Sequence, residues 1–139
     1  MKLLRSGARL PHRASTSATG LDLYACLGEP GYLDVGADVT LVPTGVALEI
    51  PAGYDVQVRP RSGLSREGVN VILGTIDADY RGEILVSMHT FGSRNSHRVH
   101  DGDRIAQLVV SRVEPVEVVE VEELSASERG TGGHGSTGR

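Results

Sequence analysis

Short segments of alternating side chains, separated by glycine or proline, are the feature that most constrains this fold. Residues 45–50, 55–59 and 84–89 each place an apolar side chain at every second position. This period of two directs apolar side chains to one face of a strand and leaves the other face more polar. The 18 glycines and the single phenylalanine fit a chain with many turns and a core of Val, Leu and Ile. The sequence therefore predicts an all-β fold.

Composition divides the 139 residues into a body and a tail. Residues 1–124 contain the alternating segments, from a possible edge strand at the N-terminus to a Val- and Glu-rich strand predicted over residues 113–121. From Ser125 onwards apolar residues almost disappear and glycines cluster, so we expect residues 125–139 to be disordered without a ligand. Gly-rich backbone with Ser, Thr and Arg also suits wrapping around phosphates.

The charge and hydropathy of the chain limit its partners. A net charge of −4 argues against a general nucleic-acid binder, which would carry a basic face. A few arginines in one cleft could still bind a small anion. No apolar run is long enough to cross a bilayer, so we expect neither a nucleic-acid nor a membrane partner.

Cysteine and histidine argue against a disulfide and a zinc site. Cys26 is the single cysteine, which excludes an intramolecular disulfide and fits a reducing compartment. His89, His97 and His100 lack the spacing of a zinc site and are expected at the surface.

No long apolar segment follows Met1, so we expect a cytoplasmic location.

The stretch 74–83, G-T-I-D-A-D-Y-R-G-E, lies between the apolar runs 69–73 and 84–88. Two strands flanking a short polar segment indicate a β-hairpin or a tight strand connection. Asp77 could orient a water molecule for attack, and the ring of Tyr80 could pack against a sugar. Taken alone, the pattern D-x-x-Y would be an ordinary polar turn.

Three further segments carry charged side chains, and one of them, at Arg61 and Ser62, suits an anionic ligand. Arg61 offers a planar donor fork for phosphate, and Ser62 is predicted as the N-cap of a short helix. Asp22 lies in an alternating strand, where an aspartate is usually only solvated. Asp103 and Arg104 are expected to be structural, as an ion pair or as turn stabilisers before a buried strand.

In this order, the segments containing Asp22, Arg61, Asp77, Gln107 and Arg129 resemble the five sequence motifs of the trimeric dUTPase family. The resemblance spans residues 3–138. It implies a distorted jelly-roll (β-clip) subunit, a homotrimer and active sites between subunits. It also implies hydrolysis of dUTP to dUMP and pyrophosphate by water attack on the α-phosphate. That activity prevents uracil incorporation into DNA and supplies dUMP for dTMP synthesis.

The resemblance implies roles for individual residues. Asp77 would hold the attacking water, and Tyr80 would pack against the deoxyribose and exclude a 2′-hydroxyl. The backbone of residues 70–76 would read uracil, with Asn70 as a candidate contact on an approach shorter than in many family members. The other implied contacts are to uracil (Gly74, Thr75, Ile76), to phosphates (Arg61, Ser62, Gly63, Gln107) and to waters on a Mg²⁺ ion (Asp22).

The tail resembles the fifth motif, which orders over bound nucleotide. Arg129 matches a γ-phosphate contact, and the polyphosphate contacts would come from Gly135, Ser136 and Thr137. The family usually has a phenylalanine that stacks on uracil where this chain has His134. Imidazole is flat but smaller, more polar and titratable than a phenyl ring, so the contact of His134 with uracil would differ from the one usual in the family.

Two alternatives remain open from the sequence. A dCTP deaminase shares the superfamily fold but uses a glutamate on the strand after the hairpin, where this chain has Ser87. A non-catalytic nucleotide-binding regulator could keep the fold without activity. The intact Asp77 and the complete tail favour the dUTPase.

Overall fold

The computed structural model describes residues 1–132, and its regular secondary structure is almost entirely β-strand, as the sequence predicts. It contains ten strands and one short helix among these residues. In chain order they are β1 (Lys2–Leu3), β2 (Leu21–Tyr24), β3 (Tyr32–Val35), β4 (Thr40–Ala47), β5 (Tyr54–Arg59), α1 (Ser62–Arg66), β6 (Val69–Val71), β7 (Gly74–Ile76), β8 (Glu83–Thr90), β9 (His97–His100) and β10 (Arg104–Arg112).

The strands form two four-stranded sheets and one two-stranded ribbon, all antiparallel. One sheet has the order β1-β4-β8-β6 and the other has the order β2-β10-β5-β7, while β3 pairs with β9. Both sheets contribute to a single apolar core, which includes Leu23, Val58, Val86, Met88 and Leu108. This arrangement is a distorted jelly roll.

The period of two in the sequence matches the burial of the strands. In β8, Ile84, Val86 and Met88 are buried, whereas Leu85 between them is 44% exposed. The sequence predicts two separate strands, at about residues 40–42 and at residues 45–50, whereas β4 is one strand from Thr40 to Ala47. A bulge lets these segments form one strand, and Gly45 within it has a φ of +68°, which glycine adopts without strain.

The central hairpin spans both sheets. Strands β6 and β8 pair as the sequence predicts, with Val69 opposite Thr90 and Val71 opposite Met88. The connection between them crosses to the other sheet, where β7 pairs with β5. The polar stretch after β7 therefore begins at the edge of one sheet and returns to the interior of the other.

The prediction of a strand over residues 113–121 is wrong for the single subunit, which forms no strand there. Strand β10 ends at Arg112, and no strand follows it within the described residues. Val116 and Val118 are 82% and 92% exposed, so the apolar side chains of this segment have no surface of their own subunit to cover them. The exposed segment continues into the described part of the tail, 125–132, while residues 133–139 lie outside the description.

The helix content of residues 1–132 is limited to α1. Within these residues, no helix is long and apolar enough to cross a membrane.

Candidate active site

A cleft of about 270 Å³ lies beside β7 and the turn that follows it. Val58 faces Gly74 across the β5–β7 ladder and forms part of the cleft wall. Strand β7 is the outermost strand of its sheet in the described chain, so one backbone edge is free to pair with a ligand. Five of the residues that the sequence proposed as site residues line this cleft: Gly74, Thr75, Ile76, Asp77 and Tyr80.

The turn after β7 fixes where Asp77 lies. The Tyr80 N–H donates to the Asp77 carbonyl at 3.0 Å, which closes a four-residue turn. The Arg81 guanidinium then donates to the carbonyls of Ala78 at 2.7 Å and Tyr80 at 3.0 Å. These bonds satisfy three of the four carbonyls of the turn within the turn itself. The Asp77 side chain is left exposed on a fixed piece of backbone at the cleft.

The Tyr80 ring folds back over Gly82. A Cβ atom at position 82 would lie 2.5 Å from Tyr80 Cζ, so any side chain there would displace the ring from this position. The Tyr80 hydroxyl donates to the Glu83 carbonyl at 2.9 Å. The ring is still 45% exposed, so it presents a flat apolar surface to the cleft.

A second set of polar side chains gathers where β2, β10 and the start of α1 meet. Asp22 faces Gln107 across the β2–β10 ladder. Arg61 Nε lies 3.2 Å from Asp22 Oδ1, and an Arg104 Nη lies 3.3 Å from Asp22 Oδ2. Gln107 donates to the Pro60 carbonyl at 2.9 Å. We call Asp22, Arg61, Arg104 and Gln107 the arginine–aspartate cluster.

Arg104 is a member of this cluster that the sequence did not identify. The sequence predicts Asp103 and Arg104 as an ion pair or as turn stabilisers, and Asp103 is a turn stabiliser, because it accepts from the His100 N–H at 2.7 Å before β10. The partner of Arg104 lies on β2, far away in the sequence. The pairing of β2 with β10 brings the two together, and no local pattern in the sequence announces that pairing.

The prediction that Ser62 caps α1 is wrong. The helix begins at Ser62 itself, and the N-cap position belongs to Arg61, whose extended backbone (φ −98°, ψ 131°) makes no side-chain cap. The Ser65 N–H donates to the Arg61 carbonyl at 3.0 Å. Ser62 and Gly63 are both exposed beside the arginine–aspartate cluster. Their backbone N–H groups therefore stand at the uncapped start of the helix.

His97 adjoins the same cluster and is partly buried rather than at the surface. It lines a small cavity together with Arg61 and Arg104. Burial lowers the pKa of His97, and the nearby charge of Arg94 lowers it further. The imidazole therefore favours its neutral form and adds no positive charge beside the two arginines.

Asn70 lies away from the cleft that the sequence associated with it. Its side-chain amide nitrogen is 3.2 Å from Nε2 of His89 on the facing strand β8. It is absent from the described lining of the cleft. Residues 72 and 73, between β6 and β7, form the cleft wall instead.

The tail residues are only partly described. Arg129 Nε donates to the Gly132 carbonyl at 2.9 Å, in an exposed turn. His134, Gly135, Ser136 and Thr137 lie outside the described residues, so their predicted contacts stay predictions.

The cleft and the arginine–aspartate cluster have no residue in common in the described part of one subunit. Asp77 and Tyr80 line the first, while Asp22, Arg61 and Gln107 belong to the second. One subunit thus holds two separate sets of the predicted site residues. Each set has a different chemical character, since the first suits a base and a sugar and the second suits an anion.

The fold and these two sets of side chains place the chain among antiparallel jelly-roll proteins with a candidate site for a small anionic ligand. Within this class, the chain belongs to the dUTPase family, whose family model, described as dUTPase, matches residues 6–138.

Individual relatives agree with this assignment. The deoxyuridine 5'-triphosphate nucleotidohydrolase of Chlamydia trachomatis serovar L2 is 51% identical over 139 residues, covering 97% of this chain and 94% of the relative. The enzyme of the same name from Desulfotalea psychrophila is 49% identical over 132 residues, covering 93% and 87%. A solved structure of the dUTPase of Staphylococcus bacteriophage 80alpha with dUPNHPP has a TM-score of 0.86 and 30% identity, covering 99% of this chain and 96% of the other.

Proposed function

We propose that this protein is a dUTP diphosphatase, which hydrolyses dUTP to dUMP and pyrophosphate. The observation that carries the proposal is the cleft in which Asp77, Tyr80 and the free edge of β7 lie together. The backbone edge can hydrogen-bond a pyrimidine, and the exposed ring can pack against a deoxyribose. The carboxylate then lies at the same cleft as the nucleoside. The names of the relatives support the same reaction.

Asp77 would position the water that attacks the α-phosphorus in line with the leaving pyrophosphate. A carboxylate is a weak base, so fixing the direction of the water matters as much as removing its proton. The turn bonds made by Tyr80 and Arg81 hold the backbone of this aspartate in place. A nucleophile that is held in line reacts faster, because its alignment no longer adds an entropy cost to the reaction barrier.

The triphosphate would be bound by Arg61, Ser62, Gly63 and Gln107, joined by tail residues. Arg61 supplies a fixed charge, and the uncapped start of α1 supplies N–H groups. From the tail, we propose that Arg129, His134, Gly135, Ser136 and Thr137 close over the nucleotide. Several donors aimed at the phosphate oxygens would stabilise the charge that develops in the transition state.

Mg²⁺ fits this site through water rather than through direct protein ligands. No group of three or more His, Cys, Asp or Glu side chains that could hold a metal occurs among residues 1–132. Asp22 already faces two guanidinium groups, so its carboxylate suits a hydrogen bond to a metal-bound water better than direct ligation. Mg²⁺ usually keeps several waters and binds substrate phosphates, and when bound it would neutralise triphosphate charge.

The division of the site residues into two sets supports a homotrimer with active sites between subunits. The cleft of one subunit would face the arginine–aspartate cluster of a neighbour, so that base and triphosphate are bound by different chains. The exposed valines of residues 113–121 support assembly as well, because apolar side chains as exposed as Val116 and Val118 are stabilised when a partner covers them.

The cleft argues against deamination of dCTP. Ser87 lines it at the position where a deaminase would have a glutamate. Glu83 is the other carboxylate-bearing residue of the lining besides Asp77, but its carboxylate is bonded to the Gly45 N–H at 2.7 Å and to Arg5. Apart from Asp77, no carboxylate in the described cleft is therefore free to shuttle protons to a cytosine ring.

Product analysis tests the proposal. The protein is incubated with dUTP and, separately, with dCTP, and the products are resolved by anion exchange. We expect dUMP and pyrophosphate from dUTP and unchanged dCTP. Conversion of dCTP to dUTP would identify a deaminase, and unchanged dUTP with measurable nucleotide binding would identify a non-catalytic binder.

A further inference from the structure

We propose that Glu83 is a positioning residue for Tyr80 and thereby sets the sugar selectivity of the cleft. This inference rests on the proposed function, because it requires Tyr80 to pack against the sugar of a bound nucleotide. Both residues line the cleft, but the Glu83 carboxylate makes its contacts with β4 and the N-terminal segment. Glu83 acts through its own main-chain carbonyl, which holds the Tyr80 hydroxyl.

The position of the Tyr80 ring depends on that carbonyl. The hydroxyl donates to the Glu83 carbonyl at 2.9 Å, and the ring lies over Gly82. With 45% of its surface exposed, the ring has little other packing to fix it. A displacement of the Glu83 carbonyl would therefore move the far end of the ring.

The β4–β8 ladder is interrupted directly beside Glu83. Pro43 faces Leu85 and Ala47 faces Glu83, so the bulge residues 44–46 stand opposite Ile84 alone. Regular main-chain pairing is interrupted where β8 begins. Side chains replace it, since Thr44 Oγ1 donates to the Ile84 carbonyl at 2.7 Å and the Gly45 N–H donates to the Glu83 carboxylate at 2.7 Å.

Arg5 also binds the Glu83 carboxylate at the start of β8. Its guanidinium forms an ion pair with the Glu83 carboxylate and lies 3.4 Å from the Cys26 carbonyl. The Leu4 N–H donates to the Gly45 carbonyl at 2.8 Å, so the N-terminal segment is bound to the same bulge. Hydrogen bonds in which one partner is charged are stronger than neutral ones, so the carboxylate anchors the start of β8 firmly.

The experiment compares kcat/KM for dUTP and for UTP in the full-length wild type and in Glu83→Ala, Glu83→Gln and Arg5→Gln. We expect Glu83→Ala to lower the dUTP-to-UTP ratio at least fivefold, because a loosened ring leaves room for a 2′-hydroxyl. Glu83→Gln should give a smaller loss, since its amide oxygen can still accept from the Gly45 N–H. The matched control is Asp34→Asn, which breaks the Arg98–Asp34 ion pair on the β3–β9 ribbon and should leave the ratio unchanged.

A Tyr80→Phe background separates positioning from a general structural effect. Without the hydroxyl there is no bond to the Glu83 carbonyl, so adding Glu83→Ala should change the ratio less than twofold. An equal loss in both backgrounds would overturn the inference. So would an unchanged ratio in Glu83→Ala, or in Glu83→Gln and Arg5→Gln if the alanine variant does not fold. A wild type that is inactive on dUTP would instead overturn the proposed function, and the inference with it.

Discussion

The Arg61 guanidinium lies 3.2 Å from the Asp22 carboxylate, although 39 positions separate the two residues in the chain. The sequence assigned Arg61 to phosphate and Asp22 to waters on Mg²⁺. In the structure they bind each other, with Arg104 on the other carboxylate oxygen at 3.3 Å. The carboxylate therefore orients the two arginines before any triphosphate binds, and a phosphate would share guanidinium groups that are already held in place.

Asp22→Asn should destabilise the protein and raise the Mg²⁺ concentration needed for half-maximal activity. The Asp22 side chain is only 12% exposed, so the substitution leaves two guanidinium groups without their charge partner near a poorly solvated site. A loss on the order of 1–3 kcal/mol is expected in the free energy of unfolding, measured in urea at fixed protein concentration. Asp34→Asn, which removes a more exposed ion pair, is the control and should leave the Mg²⁺ dependence unchanged. Wild-type stability and Mg²⁺ dependence in Asp22→Asn would contradict this role.

Asp77→Asn should keep nucleotide binding and remove most turnover. The side chain is exposed at the cleft, and the turn bonds that fix its backbone do not involve the carboxylate. The substitution therefore leaves the fold intact, while the loss of an interaction made chiefly in the transition state appears in kcat. Single-turnover kinetics and calorimetric titration with a non-hydrolysable dUTP analogue measure the two effects separately. Wild-type turnover in Asp77→Asn would show that another residue holds the water.

The sequence predicted those features that depend on local pattern. The period of two in residues 84–89 follows from the alternation of core and surface along β8. The stretch that contains Asp77 and Tyr80 was identified because it lies between two apolar strands that do pair, β6 and β8. Such features need only the properties of neighbouring residues.

The features that the sequence missed depend on distant pairing. Arg104 meets Asp22 only because β10 pairs with β2, and the bulge around Gly45 that joins two predicted strands is shaped by contacts with β8 and the N-terminal segment. The strand predicted over residues 113–121 has the valine content typical of a strand, but a strand also needs a neighbour to pair with. The described part of one subunit supplies none.

Tyr80→Ala should reduce dUTP hydrolysis and narrow the preference for dUTP over UTP. The ring lies over Gly82 at the cleft, where packing against C2′ would leave no room for a hydroxyl. Its removal opens that space and also removes apolar contact with the sugar. The measurement is kcat/KM for both nucleotides, and an unchanged ratio would exclude a steric role for the ring.

Subunit complementation tests the proposal that the tail acts across subunits. A chain ending at Ser125 lacks Arg129 and the rest of the fifth motif, so it should be nearly inactive. A full-length Asp77→Asn chain should be nearly inactive as well. Refolded together, the two chains should form mixed trimers in which some sites combine an intact Asp77 with an intact tail, and part of the activity should return.

The control for this experiment keeps the same mixture of lengths but removes every intact Asp77. The truncated chain then also carries Asp77→Asn, so that no site in any mixed trimer can hold the water, and no activity should return. Differently tagged chains, purified in two affinity steps, establish that the trimers are mixed. Some mixed trimers contain intact Asp77 and intact tails on different chains. If these trimers recover no activity, the tail serves its own subunit or has no catalytic part. Recovery above the control instead requires that residues from at least two subunits complete one site, as the separation of the cleft from the arginine–aspartate cluster leads us to expect.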